Sequence, residues 1–217
     1  MSADDQDSVP ASERAFFEQI SGTCEAPWEI GRAQPVIARL AAEGVFDGKS
    51  VLDVGCCIGD NSIHIAKHAK GSSMTGCDLV ERALGVARSK AAEAGLEVEF
   101  VQQDLLLPPQ GALQGRQFDV VLDSAVYHVW RSSKDREAYV RTLRQLLKPG
   151  GRIVMLVFSD KQPGEEGPMR IAKGDIHGSY GPPTWTVESI EDSTYETVPS
   201  KYGGSAQAYL AFISKIK

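Results

Sequence analysis

Hydrophobic and polar positions along the chain follow two periods, and the changes of period mark its elements. Val51, Leu52 and Val54 form a short apolar run of the kind that makes a strand buried on both faces. Gly55 to Gly59 follow with small residues, and Asp60 and Asn61 stand where a helix starts. Behind them comes the 3.6-period set Ile63, Ala66, Lys67 and Lys70, with Ile65 and Ala69 alongside. Strand patterns recur at Ser73 to Cys77, Glu97 to Val101, Phe118 to Leu122 and Arg152 to Phe158. Helical patterns over Val80 to Ala94 and Arg136 to Leu147 fall between them, the second closed by Lys148, Pro149, Gly150 and Gly151. Val187 to Val198 and Ala206 to Ser214 alternate apolar and polar residues and pair as a final hairpin around Pro199 to Ser205. Upstream, a helix is expected over Ser12 to Ile20 with Ser12 as its N-cap, and another from Pro35 through Ile37, Leu40 and Ala41. Ser159 to Tyr180 breaks all regularity, and its length suggests a lid or substrate wall.

Strands alternating with helices predict an α/β fold: a Rossmann-like, doubly wound, seven-stranded and mostly parallel sheet with a C-terminal antiparallel hairpin and an N-terminal helical cap. Residues 1–11, polar and acidic, read as a disordered tail. Residues 12–217 read as one domain, with 12–48 as the helical cap and 49–217 as the core. A chain of 217 residues that is 42% hydrophobic can bury a sizeable core. Its net charge of -6, with no run of Lys and Arg, argues against nucleic-acid binding and for a small-molecule partner. No apolar stretch approaches about 20 residues and the N-terminus has no apolar segment of the signal type, so the expectation is a cytoplasmic protein without a membrane partner. The oligomeric state stays open. The four cysteines, with no C-x-x-C, read as reduced thiols. His64 and His68 share a helix face but lack a third ligand, so no metal is expected.

A strand, a glycine turn and a helix N-terminus make a nucleotide-type pocket, because absent side chains let a ligand reach the backbone and the helix end offers unpaired N–H groups. The dinucleotide pattern G-x-G-x-x-G, which would make the chain an NAD-dependent oxidoreductase, fails at Cys57 and Asp60. The pattern acidic-x-G-x-G-x-G matches Asp53, Gly55 and Gly59 and departs only at Cys57. It resembles the first motif of class I S-adenosylmethionine-dependent methyltransferases. That resemblance implies S-adenosyl-L-methionine as cofactor and S-adenosyl-L-homocysteine as product. The run W-x-I-G-x-x-Q-P from Trp28 to Pro35 is similar to the small-molecule branch that includes thiopurine S-methyltransferase-like and halide or thiol methyltransferase-like proteins.

The expected cofactor contacts are Asp53, Gly55, Cys57, Gly59 and Asn61 around the turn, and Trp28 and Arg32 from a segment that either closes over the cofactor or merely covers the core edge. Asp78 stands nineteen positions past Gly59, near the spacing at which a carboxylate reaches a ribose diol, and Leu79 follows it. Asp78 equally suits the N-cap of the following helix. The family places an acidic residue and the next backbone N–H against the adenine, which here implies Asp104 and Leu105. Asp123 ends the fourth strand and completes the set. Beyond it, Ser124, Tyr127 and His128 fall where the acceptor would sit. His128 is the expected general base for a hydroxyl acceptor, with Tyr127 and Asp160 behind it, while a thiol needs no dedicated base. Arg32 and Arg170, with Ser124 and His128, are the substrate candidates. A sulfur acceptor is the reading taken, the alternatives being O- or N-methylation of a hydroxylated aromatic heterocycle and, in another class, a catalytically silent cofactor-binding scaffold.

Overall fold

The computed structural model describes residues 11–217, with side chains from residue 14. Strands β1 (Ser50–Val54), β2 (Ser73–Asp78), β3 (Glu99–Gln102), β4 (Phe118–Ser124), β5 (Leu147–Phe158), β6 (Trp185–Glu196) and β7 (Ser205–Lys215) form one sheet in the order β3-β2-β1-β4-β5-β7-β6. The pairs from β3 to β5 are parallel, and β7 lies antiparallel between β5 and β6. The helices are α1 (Ala11–Ile20), α2 (Pro35–Ala42), α3 (Asp60–His68), α4 (Glu81–Glu93), α5 (Ser133–Leu146) and α6 (Lys173–Ser179).

The period of two decides which helix each strand residue meets. Leu52 and Val54 of β1, Val121 of β4, and Ile153, Met155 and Val157 of β5 pack with Tyr139 and Leu143 of α5 and Ile176 of α6. Their neighbours Val51, Val120, Leu122, Val154 and Leu156 pack on the other face with Ile37 and Leu40 of α2 and Ile65 of α3. Burying both faces is why the inner strands read as continuous apolar runs.

Three expectations need correction. Helix α5 starts at Ser133, three residues before Arg136, because Ser132 caps it by accepting the Asp135 N–H at 3.0 Å. Strand β5 starts at Leu147, five residues before Arg152, and takes in Lys148–Gly151, with the register to β4 shifting between Phe118 and Val120. The segment 159–180 holds a helix, α6, where Asp175 accepts the Ala172 N–H at 2.8 Å, and Ser159 bridges Ile171. The side chain of Ser12 and residues 1–10 of the expected tail lie outside the described residues.

The same alternation aims two strand-end carboxylates into the layers. Asp53 points toward α3, where Ser62 donates to it at 2.6 Å. Asp123 points toward α5 and accepts from the Tyr139 hydroxyl at 2.7 Å and the Val126 N–H at 2.9 Å. Among the described residues, no ion pair holds either of them or Asp78. Burial pushes Asp53 up to about 7, with Asp78 and Asp123 adding to the shift. Burial likewise raises Asp123 to about 6, against the pull of Tyr139. The folded chain therefore keeps protons that the unfolded chain, with carboxylates near 3.8, releases. This stabilising contribution is complete below the unfolded value and is lost as the pH rises through the folded values. Asp53→Asn, neutral at every pH, is expected to make the decline in unfolding free energy between about pH 4 and pH 7 shallower, measured by urea denaturation at stepped pH. Parallel profiles for the two proteins would remove Asp53 as a source of the decline.

Candidate active site at the carboxyl ends of β1, β2 and β4

The strand order reverses between β1 and β4, and a cavity of about 740 Å³ opens over their carboxyl ends. Gly55 leaves β1 at φ +62°, and a Cβ there would run into Val126. Cys57 adopts φ +47° although it carries a side chain. Its surroundings hold that conformation in place. The Cys57 N–H donates to Asp78 Oδ2 at 2.9 Å, its thiol donates to Glu29 Oε1 at 3.1 Å, and the Trp28 indole N–H donates to its sulfur at 3.4 Å. Burial beside Asp78 and Glu29 raises the thiol far above its ordinary range, so it stays a neutral donor. Ala125 at φ +70°, after β4 on the opposite wall, and Tyr202 at φ +48° are left-handed without being glycine as well. Left-handed non-glycine residues cost of order 1 kcal/mol each and concentrate at functional sites.

Glu29 ties the turn to the N-terminal cap. Its carboxylate accepts the Gly22 and Cys24 N–H groups at 2.6 and 2.7 Å as well as the Cys57 thiol. Gln34 makes a second tie: its N–H donates to Asn61 Oδ1 at 2.9 Å, and its amide exchanges two hydrogen bonds with the Glu196 backbone on β6. Arg32 pairs with Glu196 at 2.5 Å.

Asp78, buried at the end of β2, accepts the Val80 N–H on Oδ1 and the Cys57 N–H on Oδ2, both at 2.9 Å. Burial raises its pKa while these N–H groups pull it down. Asp78 lines the cavity. Val80, not Asp78, occupies the N-cap position of α4. Beyond β3, Asp104 accepts the Leu106 N–H at 2.9 Å and pairs with Arg14 of α1 at 2.9 Å. Phe16, Phe17 and Ile20 of that helix complete the wall, with Phe17 5.6 Å from Trp28.

The opposite end of the cavity is aromatic. Phe158 stands edge-on to Tyr202 at 5.2 Å and to His128 at 5.0 Å, and Tyr195 lies 5.6 Å from Phe158. Trp130 continues this wall. The Trp130 indole nitrogen is buried there without a hydrogen-bond partner among the described residues. His128 Nδ1 accepts the Phe158 N–H at 3.2 Å. Burial and the nearby Arg170 lower its pKa to about 3.

The structure thus brings Trp28, Arg32, Gly55, Cys57, Asn61, Asp78, Leu79, Asp104, Leu105, Ser124 and His128 to one cavity. Six expected residues stand elsewhere. Asp160 accepts the Tyr209 hydroxyl at 2.7 Å. Asp53 and Asp123 point into the helix layers. Gly59 starts α3 at φ +77°, and a Cβ there would meet Ala87 and Phe100 at 2.9 Å, so it serves packing. The Tyr127 hydroxyl bonds Ser179 at 2.6 Å on the α6 side of the sheet. Arg170 turns into the 162–168 loop, where its guanidinium meets main-chain carbonyls. Missed in the sequence were Glu29, which lies inside the W-x-I-G run, and the aromatic wall, whose members come from β5, β6 and the turn after it with no common spacing.

Known proteins share this arrangement. A family model described as methyltransferase domain matches residues 51–151, the stretch from β1 to the start of β5. The 2-heptyl-1-hydroxyquinolin-4(1H)-one methyltransferase of Mycobacteroides abscessus is 29% identical over 190 residues, 86% of this chain and 80% of that protein. The demethylmenaquinone methyltransferase of Thermus thermophilus is 32% identical over 154 residues, 66% of each chain. A structure solved under the words "Conversion of a Disulfide Bond into a Thioacetal Group during Echinomycin Biosynthesis" superposes with a TM-score of 0.79 at 27% identity, over 94% of this chain and 92% of that one. With a methyltransferase match over the residues that build the turn and a seven-stranded sheet ending in a reversed hairpin, residues 51–151 carry a methyltransferase domain of the class I S-adenosylmethionine-dependent kind.

Proposed function

We propose that the chain methylates a flat aromatic small molecule on an acidic hydroxyl, one that ionises without help from a protein base. The observation that carries this reading is the acceptor end of the cavity, where Phe158, Tyr195, Tyr202 and Trp130 form the wall and the Phe158 N–H occupies His128 Nδ1. A base with a pKa near 3 is poorly matched to proton removal at neutral pH. His128 instead fixes the Phe158 backbone. The named activity of the M. abscessus relative, on a 1-hydroxyquinolin-4-one, supports an acceptor of this kind.

The residues present fit the cofactor. Asp78 lines the cavity with a carboxylate that suits a ribose diol, and Asp104 and Leu105 line it where they suit an adenine edge. The Gly55–Cys57 turn and Asn61 border the space for the amino-acid end, and Trp28 covers it. Three buried carboxylates without a cation favour a ligand that carries positive charge. Bound S-adenosylmethionine supplies a methyl group on a positively charged sulfur, which leaves as a neutral thioether. The chain's own contribution is to hold the acceptor plane against the aromatic wall and to exclude water, so that positioning lowers the barrier.

A sulfur acceptor is the second reading. The sulfur chemistry named for the structural relative at 27% identity favours it, as does the resemblance of Trp28 to Pro35 to the thiopurine and thiol branch. A thiolate also needs no base. The purified protein, given S-adenosylmethionine and either 2-heptyl-1-hydroxyquinolin-4(1H)-one or thiophenol, is expected to methylate the first. Turnover of the thiol alone would overturn the hydroxyl reading in favour of sulfur.

Across hydroxyquinolones of different acidity, the pH midpoint of kcat/KM is expected to follow the acceptor's own pKa. A midpoint that stays fixed whatever the acceptor would assign a protein base. Asp78→Ala is expected to weaken S-adenosylhomocysteine binding by about 1–3 kcal/mol, the cost of leaving buried polar partners unmatched. Unchanged affinity by calorimetry would take Asp78 out of the cofactor site.

A further inference from the structure

One arginine gathers most of the loop that closes the aromatic end. The Arg170 guanidinium donates to the carbonyls of Gln162 at 3.1 Å, Pro163 at 3.5 Å, Gly164 at 3.0 Å, Glu166 at 3.0 Å and Pro168 at 2.6 Å. It also lies 5.6 Å from the Phe158 ring and 5.9 Å from the Tyr202 ring, the two aromatic side chains that the loop covers. Such a stretch, rich in Gly and Pro, makes no ladder of its own, so its carbonyls need another donor. Guanidinium offers five N–H groups in a rigid plane, whereas an ammonium offers three from one point.

The loop turned inward by these bonds is part of the cavity. Glu166, Gly167 and Pro168 line it, while Arg170 does not. The Tyr202 hydroxyl donates to the Glu166 carbonyl at 3.0 Å, and the Met169 N–H donates to the His128 carbonyl at 3.0 Å, so the wall is fastened to both sides of the aromatic end. Gly167, at φ +87°, leaves room for the Tyr202 hydroxyl that any Cβ would strike. The cofactor turn at Gly55–Cys57 shares no hydrogen bond with this assembly.

We propose that Arg170 is a positioning residue that holds 162–168 as one wall of the acceptor end and thereby sets acceptor affinity, without touching acceptor or cofactor. The proposal rests on the reading of that end as the acceptor site. Arg170→Lys keeps the charge but cannot reach five carbonyls. In its S-adenosylhomocysteine complex, amide hydrogen exchange across 162–168 is expected to quicken about tenfold or more relative to wild type. With 2-heptyl-1-hydroxyquinolin-4(1H)-one as acceptor probe, KM is expected to rise about tenfold while kcat and S-adenosylhomocysteine affinity stay within about threefold. Tyr202→Phe, which removes only the bond to Glu166, should shift the same two readouts in the same direction and less. Unchanged exchange in Arg170→Lys, or cofactor affinity falling in step with the acceptor's, would overturn the proposal. If the wild-type protein does not methylate the probe, the acceptor reading fails while exchange and cofactor affinity still decide whether Arg170 holds the wall.

Discussion

Three carboxylates, Asp53, Asp78 and Asp123, are buried at the carboxyl ends of adjacent strands with no cation paired to any of them among the described residues. Burying charge without a partner is costly, and the fold limits the cost with neutral donors: a serine hydroxyl for Asp53, backbone N–H groups for Asp78, a tyrosine hydroxyl and backbone for Asp123. What neutral donors leave uncompensated is met by protonation, which is why Asp53 and Asp123 are held up to about 7 and about 6. The arrangement suits a ligand carrying a sulfonium and an ammonium, since the missing positive charge then arrives with the cofactor. Asp78 lines the cavity itself, while Asp53 and Asp123 lie behind its wall.

The aromatic end answers a different requirement. Methyl transfer to an already ionised acceptor asks the protein for a dry, shaped slot more than for a base. Phe158, Tyr195 and Tyr202 provide the shape, and His128 Nδ1 is spent on holding the Phe158 backbone. On the proposed reading, cofactor affinity and acceptor affinity are lodged in separate assemblies, one on β1 and β2 and one on β5, β6 and the 162–168 loop.

Much of this was legible in the residue pattern. The strand and helix periods gave the seven strands and the reversed hairpin, and the small residues between Val54 and Asp60 gave the position of the turn. Asp53 and Asp123 were read as cofactor contacts because strand ends face the crevice, yet a residue one step from the crevice points into a helix layer when the period is two, and Gly59, at the start of α3, is packed against Ala87 and Phe100. The sequence showed where the strands ended but not toward which layer each end residue turned. Cys57 looked like a defect of the glycine pattern. Its compensation depends on Trp28 and Glu29, about thirty positions away in a segment without regular structure, so no spacing rule could reveal it. The aromatic wall and the role of Arg170 were equally out of reach, because they depend on how β6, its turn and the 162–168 loop fold back over β5.

The most direct measurement is calorimetric titration of the protein near pH 6.5 with S-adenosylmethionine and with S-adenosylhomocysteine, each in two buffers of different ionisation enthalpy. A cationic ligand that completes the carboxylate cluster lowers its pKa values and expels protons. Micromolar binding of both is expected, with more proton release for the sulfonium ligand than for the thioether. Binding of neither, or binding with no difference in proton release, would contradict the assignment of this cluster as the electrostatic basis of cofactor recognition.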